Sequence, residues 1–277
     1  MFQDIDPHTL TYDPDRTEPE DGDHVLFLRG GRVLLRADEH GQSVPTFREA
    51  RQVLRGNAQD AIYLFSVAGT AFYCSLESAE ETDRFAYRNA SLLRGLASPL
   101  LAFASATALH LASWYGNNRY CGQCAGPMLH KDRERALCCP ACGVARYPAI
   151  SPVIIVGIRD GDSLLLARSA VGEYRNYGLI AGFVEAGETL EAAMAREVME
   201  EVGLRITNMQ YYNSQPWAFS QSLLMGFFAD LDGERTITLN TGELSEAGWF
   251  PRSQIPSDES RLSLTWDMIQ AFRNGEV

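Results

Sequence analysis

Apolar positions along the chain fall in short runs separated by glycine-bearing turns, and the first two pairs of runs predict β-hairpins. HVLFLR (24–29) and RVLLR (32–36) are joined by Gly30-Gly31, and DAIYLFSV (60–67) and TAFYCSL (70–76) by Ala68-Gly69. Two-residue connections of this kind suit the tight turns whose twist matches that of the flanking strands. The acidic, proline-bearing first twenty or so residues predict a loosely held arm. From Gly95 to Asn118 the chain carries no acidic or basic side chain. Ser98, Pro99, Ser105, Thr107, His110 and Ser113 interrupt that run, so it predicts a buried helix over about 99–115 rather than a membrane span, with His110 a core residue. Farther on, VIIVGI (153–158) and SLLLA (163–167) flank Arg159 to Asp162 and read as a central, buried hairpin. YGLIAGF (177–183) leads into a helix from Leu190. RITNMQYYNS, SLLMGFFADL, RTITLN (235–240) and a short Trp249-Phe250 segment predict strands, and 264–273 a terminal helix.

Composition bounds this picture. The 277 residues exceed one average domain and suggest two or three units. Twenty-four basic against thirty-six acidic side chains give a net charge of −12, which disfavours an extended nucleic-acid footprint but not engagement of one nucleic-acid end. The N-terminal stretch is acidic and has no apolar leader-like segment, so a cytoplasmic location is the expectation. Cysteine spacing adds a metal site. Cys121-x2-Cys124 and Cys139-x2-Cys142 are separated by fourteen residues, which fits a four-thiolate zinc ribbon. Two disulfides are the alternative, disfavoured in a reducing compartment. A closed four-cysteine site leaves no position for water, so this zinc is expected to be structural. Cys138 competes with Cys139, but only Cys139 gives the two-residue knuckle; Cys74 is expected in the core. The charges between the knuckles, Lys131, Asp132, Arg133, Glu134 and Arg135, are mixed and support no strong basic patch.

The chemistry concentrates in GFVEAGETLEAAMAREVMEEVGL, residues 182–204. At helical pitch Glu197, Glu200 and Glu201 share one face with the small Ala193 beside them, while Ala192, Ala195, Val198, Met199 and Val202 form the stripe expected to pack inward. Such a cluster is either a solvated acidic face or a seat for magnesium or manganese, hard cations that carboxylates hold beside substrate phosphates. Gly182 and Gly187 suit tight loop turns, Thr189 an N-cap and Gly203 the helix stop, and Glu188 with Arg196 is expected to brace the loop against the helix.

The spacing Gly182-x5-Glu188-x7-Arg196-Glu197-Val198-x-Glu200-Glu201-x-Gly203-Leu204 resembles the Nudix box at every defined position. SQPWAFSQS, Ser214 to Ser222, is similar to the SQPWPFPxS signature of the NADH pyrophosphatase branch, which also carries a four-cysteine zinc motif; Ala218 and Ser220 replace two prolines. The resemblance implies an α+β chain: an N-terminal α+β lobe (1–115), a zinc ribbon (116–147) and a Nudix αβα sandwich (148–277). It implies Mg2+ or Mn2+ held by the Ala181 carbonyl, Glu197, Glu200, Glu201 and Glu243, with Glu201 the decisive ligand or base. It also implies substrate contacts at Phe183, Glu134, Tyr147 and the signature residues Gln215, Pro216, Trp217, Ala218, Phe219, Ser220, Gln221 and Ser222. The aromatic faces of Trp217 and Phe219 suit stacking on a base or nicotinamide, and Gln215, Gln221 and Ser222 offer hydrogen bonds to ribose or base edges. The implied reaction splits NADH or NAD+ into nicotinamide mononucleotide and AMP, with the NAD-capped 5′ end of RNA a second substrate class. The implied assembly is a homodimer whose N-terminal lobe aids dimerisation and whose active sites are shared, Trp217 of one subunit facing Phe183 of the other. A hydrolase of another nucleoside diphosphate such as ADP-ribose would keep the box without the SQPW signature. A non-catalytic nucleic-acid-binding regulator would be expected to lose the acids, and all are present.

Overall fold

Local turn chemistry sets the N-terminal strands. In the computed structural model, which describes residues 1–16, 18–38, 41–51, 61–131, 133–170, 176–257 and 262–277, strands β1 (His24–Arg29) and β2 (Arg32–Asp38) meet at Arg29↔Arg32. Gly30 and Gly31 both take positive φ there, 54° and 74°, where glycine carries no steric cost. Beyond them lie β3 (Gly41–Ser43), the one-turn helix α1 (Phe47–Ala50), and β4 (Ile62–Val67) and β5 (Thr70–Ser75), which meet across Ala68-Gly69, also at positive φ. With β6 (Phe85–Asn89) they form a sheet in the order β3-β2-β1-β5-β4, β6 pairing β2. Asp60, in the run predicted to begin β4, lies outside the described residues, as does Asp132. Val25, Phe27, Leu34, Phe47, Tyr73, Phe85 and Tyr87 pack into one core, and Cys74 is buried as expected. Helix α2 (Pro99–Asn117) starts at an N-cap, Ser98, followed by Pro99 at its first position. Its small and apolar residues are buried around most of its circumference, as befits a core helix. His110 is half-buried and its Nε2 lies 2.8 Å from the Ala149 carbonyl. No helix among the described residues is long and apolar enough to cross a membrane.

Strands β7 (Leu129–His130), β8 (Leu137–Cys138) and β9 (Ala145–Arg146) form the ribbon's small antiparallel sheet. The chain divides into two compact units, and the ribbon groups with the N-terminal lobe: residues 4–149 and 218–220 form one unit, 1–3, 150–217 and 221–277 the other. Within the first, the Arg135 guanidinium donates to the Leu64 carbonyl and covers the Tyr12 ring at 4.4 Å. The expected loose arm is not loose. Thr11 exchanges two 2.8 Å main-chain bonds with Ser66, Arg16 pairs with the buried Asp23 at 3.0 Å, and Tyr12 stacks on Tyr63. Contacts far along the chain hold a segment whose composition alone predicts none.

The second unit is built on β10 (Ser151–Asp160). It forms the central hairpin with β11 (Ser163–Ser169), pairs antiparallel with β12 (Ile180–Phe183), and runs parallel to β14 (Ser222–Leu231). The edge strand β13 (Ile206–Trp217) completes the order β13-β14-β10-β11-β15 with β15 (Leu244–Pro251). Helix α3 (Leu190–Val202) and helix α4 (Leu264–Asn274) each pack on the sheet through their own apolar cluster: α3 against Ile154, Val156 and Phe227, α4 against Ile155, Leu164 and Phe228. Alternate residues of β10 thus feed two cores, the arrangement of an αβα sandwich.

Two strand expectations change. Residues 235–240 form no strand: the Thr238 and Asn240 amides donate to the Val202 and Glu201 carbonyls, both at 2.9 Å, so this segment closes the C-terminus of α3 instead of joining the sheet. The Trp249-Phe250 strand is longer than expected because β15 follows β11 from Ser163↔Pro251 to Ser169↔Leu244.

Candidate active site and zinc ribbon

The box helix is fixed at both ends by local chemistry. Thr189 Oγ1 accepts from the Ala192 amide at 3.2 Å, and Gly203, at φ 67°, stops the helix in the left-handed conformation. Its inward face differs from the expectation. Ala193, Met194, Val198, Glu201 and Val202 are buried, while Ala192, Ala195 and Met199 are exposed. Leu190, Met194, Val198 and Val202 form the packing stripe, and Glu201 is buried with them while Glu197 is half-buried and Glu200 exposed, so the acids are not set opposite that stripe. Gly182 likewise has a different role. It is a strand residue of β12, paired with Ile154, and a Cβ placed there would lie 2.0 Å from Glu197 Cδ. Only glycine lets the strand pass beneath that carboxylate. Gly187, at φ 96°, is the turn residue.

Arg196 anchors the acid face. Its Nε and Nη2 bond Glu188 at 2.7 and 2.9 Å, Nη1 bonds Glu197 at 2.8 Å and Glu200 at 3.1 Å, and Nη2 reaches the Phe183 carbonyl at 3.0 Å. All five guanidinium donors are engaged. The forked bond to Arg196, with the Glu185 amide, holds Glu188 at a pKa of about 2. Loop, β12 and helix are thereby tied at one point, the brace expected from sequence.

Glu201 is 7% exposed. Burial, then the charges of Glu197, Glu243 and Glu200, raises its pKa to about 8. The structure therefore brings Glu243, far along the chain, into the field of the box acids. Arg196 holds Glu197 and Glu200, and among the described residues only the cysteine quartet draws three or more ligand atoms onto one point. The donor set nonetheless fits a hard divalent cation: one arginine opposes five carboxylates, and Glu201 would not be forced to carry a proton if a cation sat beside it. A pH dependence follows. Between its ordinary value of 4.5 and about 8, the folded chain keeps a proton on Glu201 that the unfolded chain has lost. Stability without magnesium or manganese should therefore fall as pH rises through that window, and either ion should remove the slope. Urea unfolding at several pH values with and without manganese checks this; a slope unchanged by metal would contradict it.

The ribbon gathers its four cysteines. Cys121 Sγ lies 3.5 Å from Cys142 Sγ, and Cys124 Sγ lies 3.4 and 3.6 Å from those of Cys139 and Cys142. All four cysteines are free, and their sulfurs lie within 4.8 Å of one another. Tetrahedral zinc with bonds near 2.3 Å sets sulfurs about 3.8 Å apart, far beyond the ~2.05 Å of a disulfide. The two knuckles repeat one backbone pattern: Ala125 and Gly143, both at positive φ, donate to the carbonyls of Cys121 and Cys139. The Gln123 amide, 3.4 Å from Cys121 Sγ, leads the contacts that lower that thiol to about 6. These four residues form a structural zinc site. The Cys138 sulfur instead lies 3.9 Å from the Cys139 and Gly143 carbonyls.

The signature does not form an exposed loop. Gln215, Pro216 and Trp217 end β13, Ala218–Ser220 make one 3-10 turn, Gln221 sits at φ 55°, and Ser222 begins β14 opposite Trp217. Proline is tolerated there because β13 is an edge strand. Gln215 is fully buried: its amide donates to Gln3 Oε1 at 2.8 Å and to the Leu262 carbonyl at 3.1 Å, and accepts from the Leu264 amide at 2.8 Å. Its two donors are occupied, which corrects the expectation that it serves ribose. Ser222 is buried as well. Pro216 and Ser220 are exposed, and Trp217, Ala218 and Gln221 half-buried. Phe183 is 54% exposed and follows Gly182 in the chain, its carbonyl accepting from Arg196; Ala181, which precedes Gly182, is exposed as well. In the N-terminal unit, Phe219 has the Arg94 guanidinium 5.3 Å from its ring centre. There too Tyr147 donates to Glu134 at 3.1 Å, and Lys131 pairs with the same carboxylate at 3.0 Å. Nothing in the sequence singles out Thr238, whereas the Asn-Thr-Gly turn at 240–242 is a signal that marks Asn240.

Residues 150–272 match the family model described as NUDIX domain, and residues 117–147 the NADH pyrophosphatase zinc ribbon domain. The chain therefore carries a NUDIX domain preceded by an NADH pyrophosphatase zinc ribbon domain. It is 45% identical over 148 residues to the NAD-capped RNA hydrolase NudC of Citrobacter koseri, covering 53% of this chain and 57% of that one. It is 41% identical over 165 residues to the protein of the same name from Stutzerimonas stutzeri, covering 60% and 59%. The match thus spans somewhat over half the length of these relatives. Among solved structures, a NUDIX hydrolase from Nitrosomonas europaea aligns with a TM-score of 0.48 and 24% identity, over 57% of this chain and 92% of that one.

Proposed function

We propose that the protein is a metal-dependent pyrophosphatase acting in the cytoplasm on the diphosphate of NADH or NAD+, and on the same linkage at the NAD-capped 5′ end of RNA. The observation that carries this reading is the gathering of Glu197, Glu200 and Glu243 around Glu201, whose carboxyl is raised to about 8, with the exposed Phe183 following in the chain the glycine that passes beneath Glu197. Bound Mg2+ or Mn2+ would neutralise the diphosphate and acidify a water. Glu197, Glu200, Glu201, Glu243 and the Ala181 carbonyl would hold the ions, and Glu201 is the decisive ligand or proton acceptor. Arg196, fully engaged, keeps the acid face in place and has no donor left for phosphate. Phe183 would stack on the nicotinamide or base, opposed by Trp217 of the partner subunit in a homodimer; Glu134 and Tyr147 are further proposed substrate contacts. The intact acids argue against a non-catalytic regulator.

The test is a manganese- or magnesium-dependent assay on NADH, ADP-ribose and NAD-capped RNA. Trp217→Ala is expected to lower kcat/KM for NADH about tenfold or more, since a stacking contact is worth roughly 1–3 kcal/mol. ADP-ribose, which lacks the nicotinamide, should lose less. Equal losses would point to adenine as the clamped ring or to damage of the loop as a whole, and faster turnover of ADP-ribose than of both NAD substrates by the unaltered protein would replace this reading with an ADP-ribose hydrolase.

A further inference from the structure

Glu243 lies close enough for its charge to act on Glu201, on a connection of irregular backbone whose path is held by specific bonds. The segment closing α3 bonds that helix at its last turn: the Thr238 amide to the Val202 carbonyl and the Asn240 amide to the carbonyl of Glu201 itself, both at 2.9 Å. Gly203 keeps this approach open, since a Cβ there would meet Thr238 Cβ at 2.8 Å. From Asn240 the chain turns within three residues. Asn240 Oδ1 accepts from the Gly242 amide at 3.1 Å, and its carbonyl accepts from Glu243 at 3.2 Å and Leu244 at 2.9 Å. On the far side the Glu243 carbonyl accepts from the Ala170 amide at 2.8 Å, so its backbone is clamped from two directions.

We infer that Asn240 is a positioning residue for the metal site: one residue bonds the backbone of Glu201 and shapes the turn that aims Glu243 at the same cation. Asparagine suits this role because its side-chain oxygen accepts from the amide two residues on, fixing a turn that the main chain alone leaves loose. The inference rests on the reading of Glu243 as a metal ligand. Asn240→Ala keeps the main-chain bonds to Glu201 and loses only the bond to Gly242, so it isolates the turn.

The experiment titrates Mn2+ by calorimetry into the full chain and into Asn240→Ala, Asn240→Ser, Glu243→Gln and the double variant Asn240→Ala/Glu243→Gln, with NADH hydrolysis and thermal melting measured alongside. Asn240→Ala is expected to weaken Mn2+ about tenfold, within the range for groups that orient metal ligands. Asn240→Ser, whose hydroxyl can accept the same bond, should recover part of the loss, and Asn240→Ala should add little once Glu243 is Gln. If Glu243→Gln leaves both Mn2+ affinity and turnover intact, the reading of Glu243 falls and the inference with it. If Glu243→Gln weakens Mn2+ but Asn240→Ala is silent, or adds its full effect on top, only the positioning role is overturned. Should Asn240→Ala melt too low to titrate, Asn240→Ser carries the same comparison in both backgrounds.

Discussion

Glu201→Gln is expected to lower the metal-dependent hydrolysis of NADH by orders of magnitude and to leave the fold intact. The carboxylate is buried among Glu197, Glu200 and Glu243, where its charge is disfavoured without a cation. An amide of the same shape removes that repulsion, so the variant's melting temperature in metal-free buffer should equal or exceed that of the unaltered chain near pH 8, where the native carboxyl ionises. Loss of activity with stability held or raised separates chemistry from folding. Retention of most turnover with magnesium or manganese saturating would remove the reaction from this face of the helix.

The ribbon should show the reverse pattern. Cys142→Ser removes one of four sulfurs drawn together at 3.4–3.6 Å, the one that lies 3.5 and 3.6 Å from those of Cys121 and Cys124. Structural zinc contributes on the order of 10 kcal/mol in small zinc-binding folds, comparable to the whole stability of a domain. The variant is therefore expected to lose its zinc, about one ion per chain, and the order of the three two-residue strands that surround it. Elemental analysis and thermal melting check both. Cys138→Ser is the control, since its sulfur faces carbonyls and stands outside the quartet. Zinc retained at full occupancy by Cys142→Ser, or lost from Cys138→Ser, would mean that the ligand set is wrong.

Features closed over a few residues are determined by the sequence itself. The Gly30-Gly31 turn, the Thr189 cap, the Gly203 stop, the two CxxC knuckles and the Glu188–Arg196 brace are visible there because each partner lies within one turn or loop of the other, and backbone preference or ligand spacing leaves few alternatives. What tertiary structure alone decided involves partners far apart in the chain. Gln215 reads as a polar residue free to meet ligand until Gln3, 212 positions away, and Leu264 occupy its amide. Residues 235–240 have the composition of a strand, but β15 already lies on β11, and the open carbonyls at the end of α3 take their amides instead. The inward face of α3 differs from the expectation because periodicity gives a stripe without its centre. The sheet fixes that centre: Gly182 of β12 leaves room for Glu197 and Ala193 packs flat in the core, which turns Glu201 inward to where burial and the charge of Glu243 can act on one carboxyl.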